Sequence, residues 1–253
     1  MGELIRVAIR VRLDEREEAL AALLELAPEG FDEVDRMDEI EFGVYTDTAG
    51  EGRLRATFAT AEAAPVAAGW EEGWRAFHRP ALVGGLWIGP PWLGPPRDLP
   101  TVVIDPGRAF GTGTHPTTRL CVELLAGVER GSLVDVGCGS GVLSIAAARL
   151  GFGPIVAIDA DPVAIEVTLA NAATNGVAFE TRVVDAVHEP IPSADVAVAN
   201  VLLAPVEAIL ARLAVKAVVT SGYLEGEVPA QTGWTRVATA TLDGWAADRF
   251  DRA

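Results

Sequence analysis

The segment Ala109–Thr118, AFGTGTHPTT, gathers two glycines, four threonines and one histidine into ten residues. Hydroxyls, an imidazole and a backbone without Cβ atoms make a cradle for a polar or anionic ligand. A second glycine-rich segment, Asp135–Leu143, DVGCGSGVL, follows. A ligand could sit in each turn, or one ligand could be shared by both. A nucleotide phosphate loop would end in Gly-Lys-Ser/Thr, but here Gly113 is followed by Thr114 and His115. A dinucleotide fingerprint would need its third glycine at 142, where the chain has Val142. Nicotinamide-dependent oxidoreduction is therefore disfavoured.

These residues need a scaffold, and the sequence around them reads as one. The apolar run TVVID is expected as a strand before the first turn. Pro116 suits the first turn of a helix that carries Leu120, Leu124, Leu125 and Val128 on one face. SLVDV, PIVAI, FETRVV and ADVAVA read as short buried strands, with helices VLSIAAARL and the segment after Asp161-Pro162 between them. Asp161 caps the second of these helices and Asn175-Gly176 closes it. TRVATATLDGWAADRF reads as a hairpin turning at Asp243-Gly244. The expected fold class is α/β, a doubly wound sheet with a terminal antiparallel hairpin.

In such a sheet, ligands bind outside the carboxyl ends of the strands. Four positions there are candidates. Gly137, Gly139 and Gly141 allow close backbone approach. Asp159, about twenty residues on, stands where a carboxylate bonds ribose hydroxyls, or it is a second helix-capping carboxylate. Asp185 could meet the exocyclic amine of a base, or be a plain loop carboxylate. Asn200, after VANVL begins, could accept a hydrogen bond from an amine, or be a turn asparagine.

Upstream, LIRVAIRVRL alternates like a strand, EREEALAALLEL has helical spacing, and FDEVDRMDEIEFGVYT and RLRATFAT read as further strands. The expected organisation is a small α+β domain over 1–62, a helical and Pro/Gly-rich linker over 63–100, and the sheet domain over 101–253. The Pro/Gly density of GGLWIGPPWLGPPRDLP argues against long regular structure there.

The 253 residues are 50% hydrophobic, with a formal net charge of −16 and Lys216 as the sole lysine. That sign argues against direct binding to a nucleic-acid backbone. No run of eighteen apolar residues occurs, so no membrane span is expected, and the N-terminus lacks the apolar stretch of a signal peptide. Cys121 and Cys138 lack metal-ligand spacing, and His78, His115 and His188 are scattered, so no metal is expected and a cytoplasmic location is.

IDPGRAFGTGTHPTTRLC, DVGCGSGVLSIAA, IDADP, NAATNGV and VANVL, in this order and spacing, resemble the ribosomal protein L11 methyltransferase family. WEEGWRAFHRPALVGGLWIGPPW is similar to that family's stretch before the catalytic domain. The resemblance implies a Rossmann-like class I methyltransferase domain behind a small substrate-recognition domain. It also implies S-adenosylmethionine as methyl donor, S-adenosylhomocysteine as product, and amino groups of ribosomal protein L11 as acceptor. Carried over by position, Thr118, Gly137, Asp159 and Asn200 are cofactor contacts, with Phe110 and His115 close by. Both turns then serve one ligand. Phe110 and Asn200 would form the slot for a neutral amine, and His115 would act as a base or orient the loop at its helix start. A small-molecule N- or O-methyltransferase with the same cofactor site is the alternative, and a non-catalytic cofactor-binding module a further one.

Overall fold

The structure, a computed structural model, describes residues 5–27, 31–36, 39–66, 79–105 and 113–253. They fall into two compact units, one containing 5–66 and the other 79–105 and 113–253.

The smaller unit runs β1 (Ile5–Arg12), a 3-10 turn, α1 (Arg16–Leu26), β2 (Phe31–Arg36), β3 (Glu39–Thr46), α2 (Thr48–Thr57) and β4 (Glu62–Pro65). Its antiparallel sheet has the order β2-β3-β1-β4. Alternation along β1 and β3 sends Val7, Ile9, Ile40, Phe42 and Val44 into a core with Leu23 and Leu54. The opposite face carries Arg6 and Arg10, each 3.0 Å from Glu41. The segment RLRATFAT, expected as a strand, instead largely belongs to α2. Asp47 caps that helix by accepting the Gly50 N–H at 2.8 Å, and Glu51 pairs with Arg55 at 2.7 Å. Its buried residues, Gly50 and Leu54, stand four apart, so helical spacing overrides the two-residue alternation. β4 pairs with β1 and carries the small unit past the boundary expected at residue 62.

The larger unit begins with β5 (Ala81–Val83), β6 (Leu86–Gly89) and β7 (Thr101–Val103), which form a three-stranded sheet. Here the stretch expected as a linker departs from expectation: Leu86, Trp87 and Ile88 are buried, and Leu86 and Ile88 join the main core. Paired glycines, Gly84 and Gly85, at φ 59° and 78°, supply the turn that lets so Pro/Gly-rich a stretch form strands. There follow α3 (Pro116–Ala126), β8 (Leu133–Val136), α4 (Val142–Leu150), β9 (Ile155–Asp159), α5 (Pro162–Thr174), β10 (Glu180–Val183), β11 (Val196–Asn200), α6 (Leu203–Leu210), β12 (Ala217–Leu224), β13 (Trp234–Leu242) and β14 (Trp245–Arg252).

The seven-stranded sheet has the order β10-β9-β8-β11-β12-β14-β13, parallel through β12 and antiparallel at β14 and β13. Strand β8 is buried throughout, because both faces are covered. One face packs Leu133 and Val198 against Cys121, Val142 and Ile145; the other packs Val134 and Val136 against Val206 and Ile209 of α6. The hairpin turns at Asp243 and Gly244, both at positive φ, as the Asp-Gly pair implies. Chain order reverses between β8 and β11, which makes their carboxyl ends the topological switch point.

Candidate functional site

The glycine turn leaves β8 at that switch point. Gly137 has φ 74°, and a Cβ there would stand 2.5 Å from Val201 Cγ1. Gly222, at φ 104°, meets the same residue: its Cβ would come within 2.1 Å of the Val201 carbonyl oxygen. Val201, the residue after Asn200, is thus gripped between two backbones. The Gly137 and Cys138 amides both donate to the Ile158 carbonyl, at 2.9 and 3.0 Å. Helix α4 starts on Gly141 with no acid in its first turn; Ser140 Oγ accepts the Val142 N–H at 3.4 Å, and the positive end of the helix lies at the glycine turn.

Asp159 ends β9, half-buried. Its Oδ2 accepts the Gly139 N–H at 2.9 Å and its Oδ1 the Asp161 N–H at 3.0 Å, tying the strand tip to the glycine turn. Asp161 separately caps α5 through the Val163 N–H at 2.8 Å. Asp185 follows β10. Its Oδ1 accepts the Val187 N–H at 3.0 Å, its Oδ2 lies 2.7 Å from His188 Nδ1, and that bond holds its carboxyl below the ordinary range.

Asn200 ends β11, and its Nδ2 reaches Thr118 Oγ1 at 3.5 Å. Thr118 is fully buried in the first turn of α3. His115 is the N-cap of that helix. Its Nδ1 accepts the Thr117 N–H at 3.3 Å and lies 2.8 Å from Thr117 Oγ1, which puts the proton of a neutral ring on Nε2. The ring stacks edge-on against Trp245, centroids 5.0 Å apart. Phe110 lies outside the described residues. The two turns nevertheless meet within them: a Cβ on Gly113 would stand 2.5 Å from Ile88 Cγ2 and 3.4 Å from Val142 Cγ2. Gly113, just before the THPTT segment, thus sits tightly on Ile88 and in contact with the valine that replaces a third fingerprint glycine.

The structure thus brings together the glycine turn, Asp159, Asn200, Thr118 and His115, with Asp185 next to Asp159's strand through the Val184 N–H bond to the Asp159 carbonyl, 2.9 Å. A model of the family described as ribosomal protein L11 methyltransferase (PrmA) matches residues 31–245. The chain belongs to that family. Among curated members, the ribosomal protein L11 methyltransferase of Legionella pneumophila (strain Lens) is 37% identical over 194 residues, 70% of this chain and 66% of that protein. The Aliivibrio fischeri (strain MJ11) member is 46% identical over 141 residues, 54% and 48% of the two chains. The chain spans between about half and two thirds of the length of these relatives. A crystal structure of the ribosomal protein L11 methylase from Lactobacillus delbrueckii subsp. bulgaricus superposes with a TM-score of 0.63 at 26% identity, covering 70% of this chain and 99% of that one.

One residue of this family member escaped the sequence reading. Asp135, in the middle of β8, is fully buried; Ser144 donates to its Oδ2 at 2.6 Å, and its Oδ1 has no partner among the described residues. Burial pushes its carboxyl up to about 7. The signal was present: a lone carboxylate in an apolar strand must have a reason to be there. Trp245 left no such signal, since an aromatic after an Asp-Gly turn reads as ordinary hairpin.

Proposed function

We propose that the chain transfers methyl groups from S-adenosylmethionine to amino groups of a protein, lysine side chains or an N-terminal amine, with ribosomal protein L11 as the acceptor. The observation that carries this reading is the pairing of Asn200, at the end of the strand next to the glycine turn, with Thr118 in the first turn of α3. The residues suit the donor. A turn open at Gly137 admits a ligand close to backbone, a carboxylate stands at the β9 tip, and a buried acceptor atom of Asp135 lies beneath.

When bound, S-adenosylmethionine supplies an electrophilic methyl group on a sulfonium, so transfer to an amine needs orientation more than covalent help. The turn Gly137–Gly139–Gly141 and the start of α4 receive the amino-acid carboxylate. Asp159 accepts from the ribose hydroxyls, and Asp185 from the exocyclic amine of the base. Thr118 fixes the Asn200 amide, whose carbonyl accepts from the incoming amine. An apolar surround favours a neutral amine over a free lysine's ammonium, pKa ~10.4. His115, with Nδ1 committed to its own helix cap, orients the segment and is not the base.

The small unit containing 5–66 holds the protein acceptor. A net charge of −16 favours a basic protein over a nucleic-acid backbone. Among the described residues no helix is long and apolar enough to cross a membrane, and a cytoplasmic location accompanies a ribosomal substrate. Isothermal titration tests the donor: S-adenosylhomocysteine is expected to bind and NAD not to. Heat from NAD and none from S-adenosylhomocysteine would overturn the assignment.

A further inference from the structure

Among the described residues, strand β7 pairs with β6 along one edge and with no strand along the other. Along its other edge the backbone is met by side chains at every second residue, as the geometry of a strand requires. Arg149 Nε donates to the Thr101 carbonyl at 3.0 Å. Asn175 serves Val103 on both sides: its Oδ1 accepts the Val103 N–H at 2.8 Å and its Nδ2 donates to the Val103 carbonyl at 2.6 Å. Asn171 Oδ1 accepts the Asp105 N–H at 3.4 Å. From Asp105 the chain runs on to Gly113 and the THPTT segment.

The same face of α5 also holds the glycine turn. Thr168 donates to the Gly139 carbonyl at 2.9 Å, and Asn171 Nδ2 donates to the Ser140 carbonyl at 2.9 Å. Thr168, Asn171 and Asn175 recur at three- and four-residue steps, one stripe of the helix. Both asparagines are buried. Asn171 therefore has its oxygen on the segment just after β7, which leads to one turn, and its nitrogen on the other turn. A side-chain amide does this with two separate atoms, whereas a carboxylate cannot donate to Ser140 and an aliphatic side chain does neither.

We propose that Asn171 is a positioning residue that couples the two turns, so that a ligand held at Gly137–Gly141 is felt at the exit of β7. The ligand used here rests on the cofactor reading given above. Ser140 is buried, so losing the donor half of the amide leaves its carbonyl unpaired, while losing the acceptor half releases the part-buried Asp105 N–H; either way the register between turn and strand loosens.

Hydrogen–deuterium exchange of the full chain, free and with S-adenosylhomocysteine, tests this in the parent, Asn171→Asp and Asn175→Asp. In the parent, ligand is expected to slow exchange in both 137–142 and 101–105. In Asn171→Asp, which preserves size and removes only the donor to Ser140, ligand is expected to protect 137–142 alone, with affinity about tenfold weaker. Asn175→Asp leaves ligand protection shared by both segments. Joint protection retained in Asn171→Asp overturns the coupling. S-adenosylhomocysteine that protects neither segment of the parent contradicts the cofactor reading instead. The free proteins then decide the coupling: Asn171→Asp must loosen both segments and Asn175→Asp the strand only, and any other pattern overturns it.

Discussion

The two units handle polar groups in opposite ways. In the smaller one, Glu41 is the sole buried polar side chain among the described residues, and Arg6 and Arg10 hold it on the face away from the core. In the larger one, Thr118, Asp135, Ser140, Ser144, Asn171 and Ser221 are all buried, most of them near the carboxyl edge of the sheet. Burying such groups weakens a core unless each finds a partner. The larger unit accepts that cost where a ligand would sit. The smaller unit keeps an apolar core and carries its ion pairs on the opposite face of its sheet.

The largest effect should come from separating the units. A chain beginning at Trp70 is expected to bind S-adenosylhomocysteine like the full chain, yet to methylate ribosomal protein L11 at least about a hundredfold more slowly, because the acceptor is no longer oriented. Equal rates would remove the recognition role from the small unit and favour the small-molecule alternative. Loss of cofactor binding as well would make that unit a stabilising element only.

The buried carboxyl of Asp135 sharpens the comparison through pH. Asp135 has its proton affinity raised on folding, so the unfolded chain ionises first as pH rises. Stability linked to this residue is full below about pH 4 and is lost as pH climbs toward 7. The loss should be on the order of 2–4 kcal/mol, and Asp135→Asn should abolish it. Denaturant unfolding at pH 5 and pH 8 reads this directly. An Asp135→Asn chain with the parent's pH dependence would place the titration elsewhere.

Asp159→Ala should weaken S-adenosylhomocysteine binding by roughly 1.5–3 kcal/mol, the range for hydrogen bonds to a charged group. Unchanged affinity by titration would reduce Asp159 to a brace for Gly139 and Asp161. Smallest is the effect of a polar residue remote from ligand. Arg130 donates to the carbonyls of Leu125, Ala126, Val128 and Leu150, closing the ends of α3 and α4, and lies 4.7 Å over the Phe152 ring. Arg130→Ala should cost about 1 kcal/mol of stability and leave cofactor affinity untouched. A shift in affinity would show that the site is less insulated than the contrast implies.

Much of the larger unit was legible because its signals are local. Alternating apolar runs, the Asp161-Pro162 start, the Asn175-Gly176 stop and the Asp243-Gly244 turn each act over a few residues. The glycine turn and Asp159 were legible for the same reason, being fixed by strand ends. What escaped depends on partners far along the chain. Residues 53–57 looked like a strand until the Asp47 cap and the Glu51–Arg55 pair made them helical. The Pro/Gly-rich stretch looked like a linker because nothing local shows that Leu86 and Ile88 have a core to enter. The joint grip of Asn171 on Asp105 and Ser140 spans 66 and 31 residues, beyond any periodicity.

The central proposal is that the site at Asn200 and Thr118 serves amino-group methylation of ribosomal protein L11. Intact-mass spectrometry of purified L11 incubated with S-adenosylmethionine and the parent chain, or with Asn200→Ala, tests it most directly. The parent should add mass to L11 in whole methyl steps, mapped to amino groups, while Asn200→Ala slows this strongly and unfolds as cooperatively as the parent. An L11 left unmodified by the parent, or modified as fast by Asn200→Ala, would contradict the account.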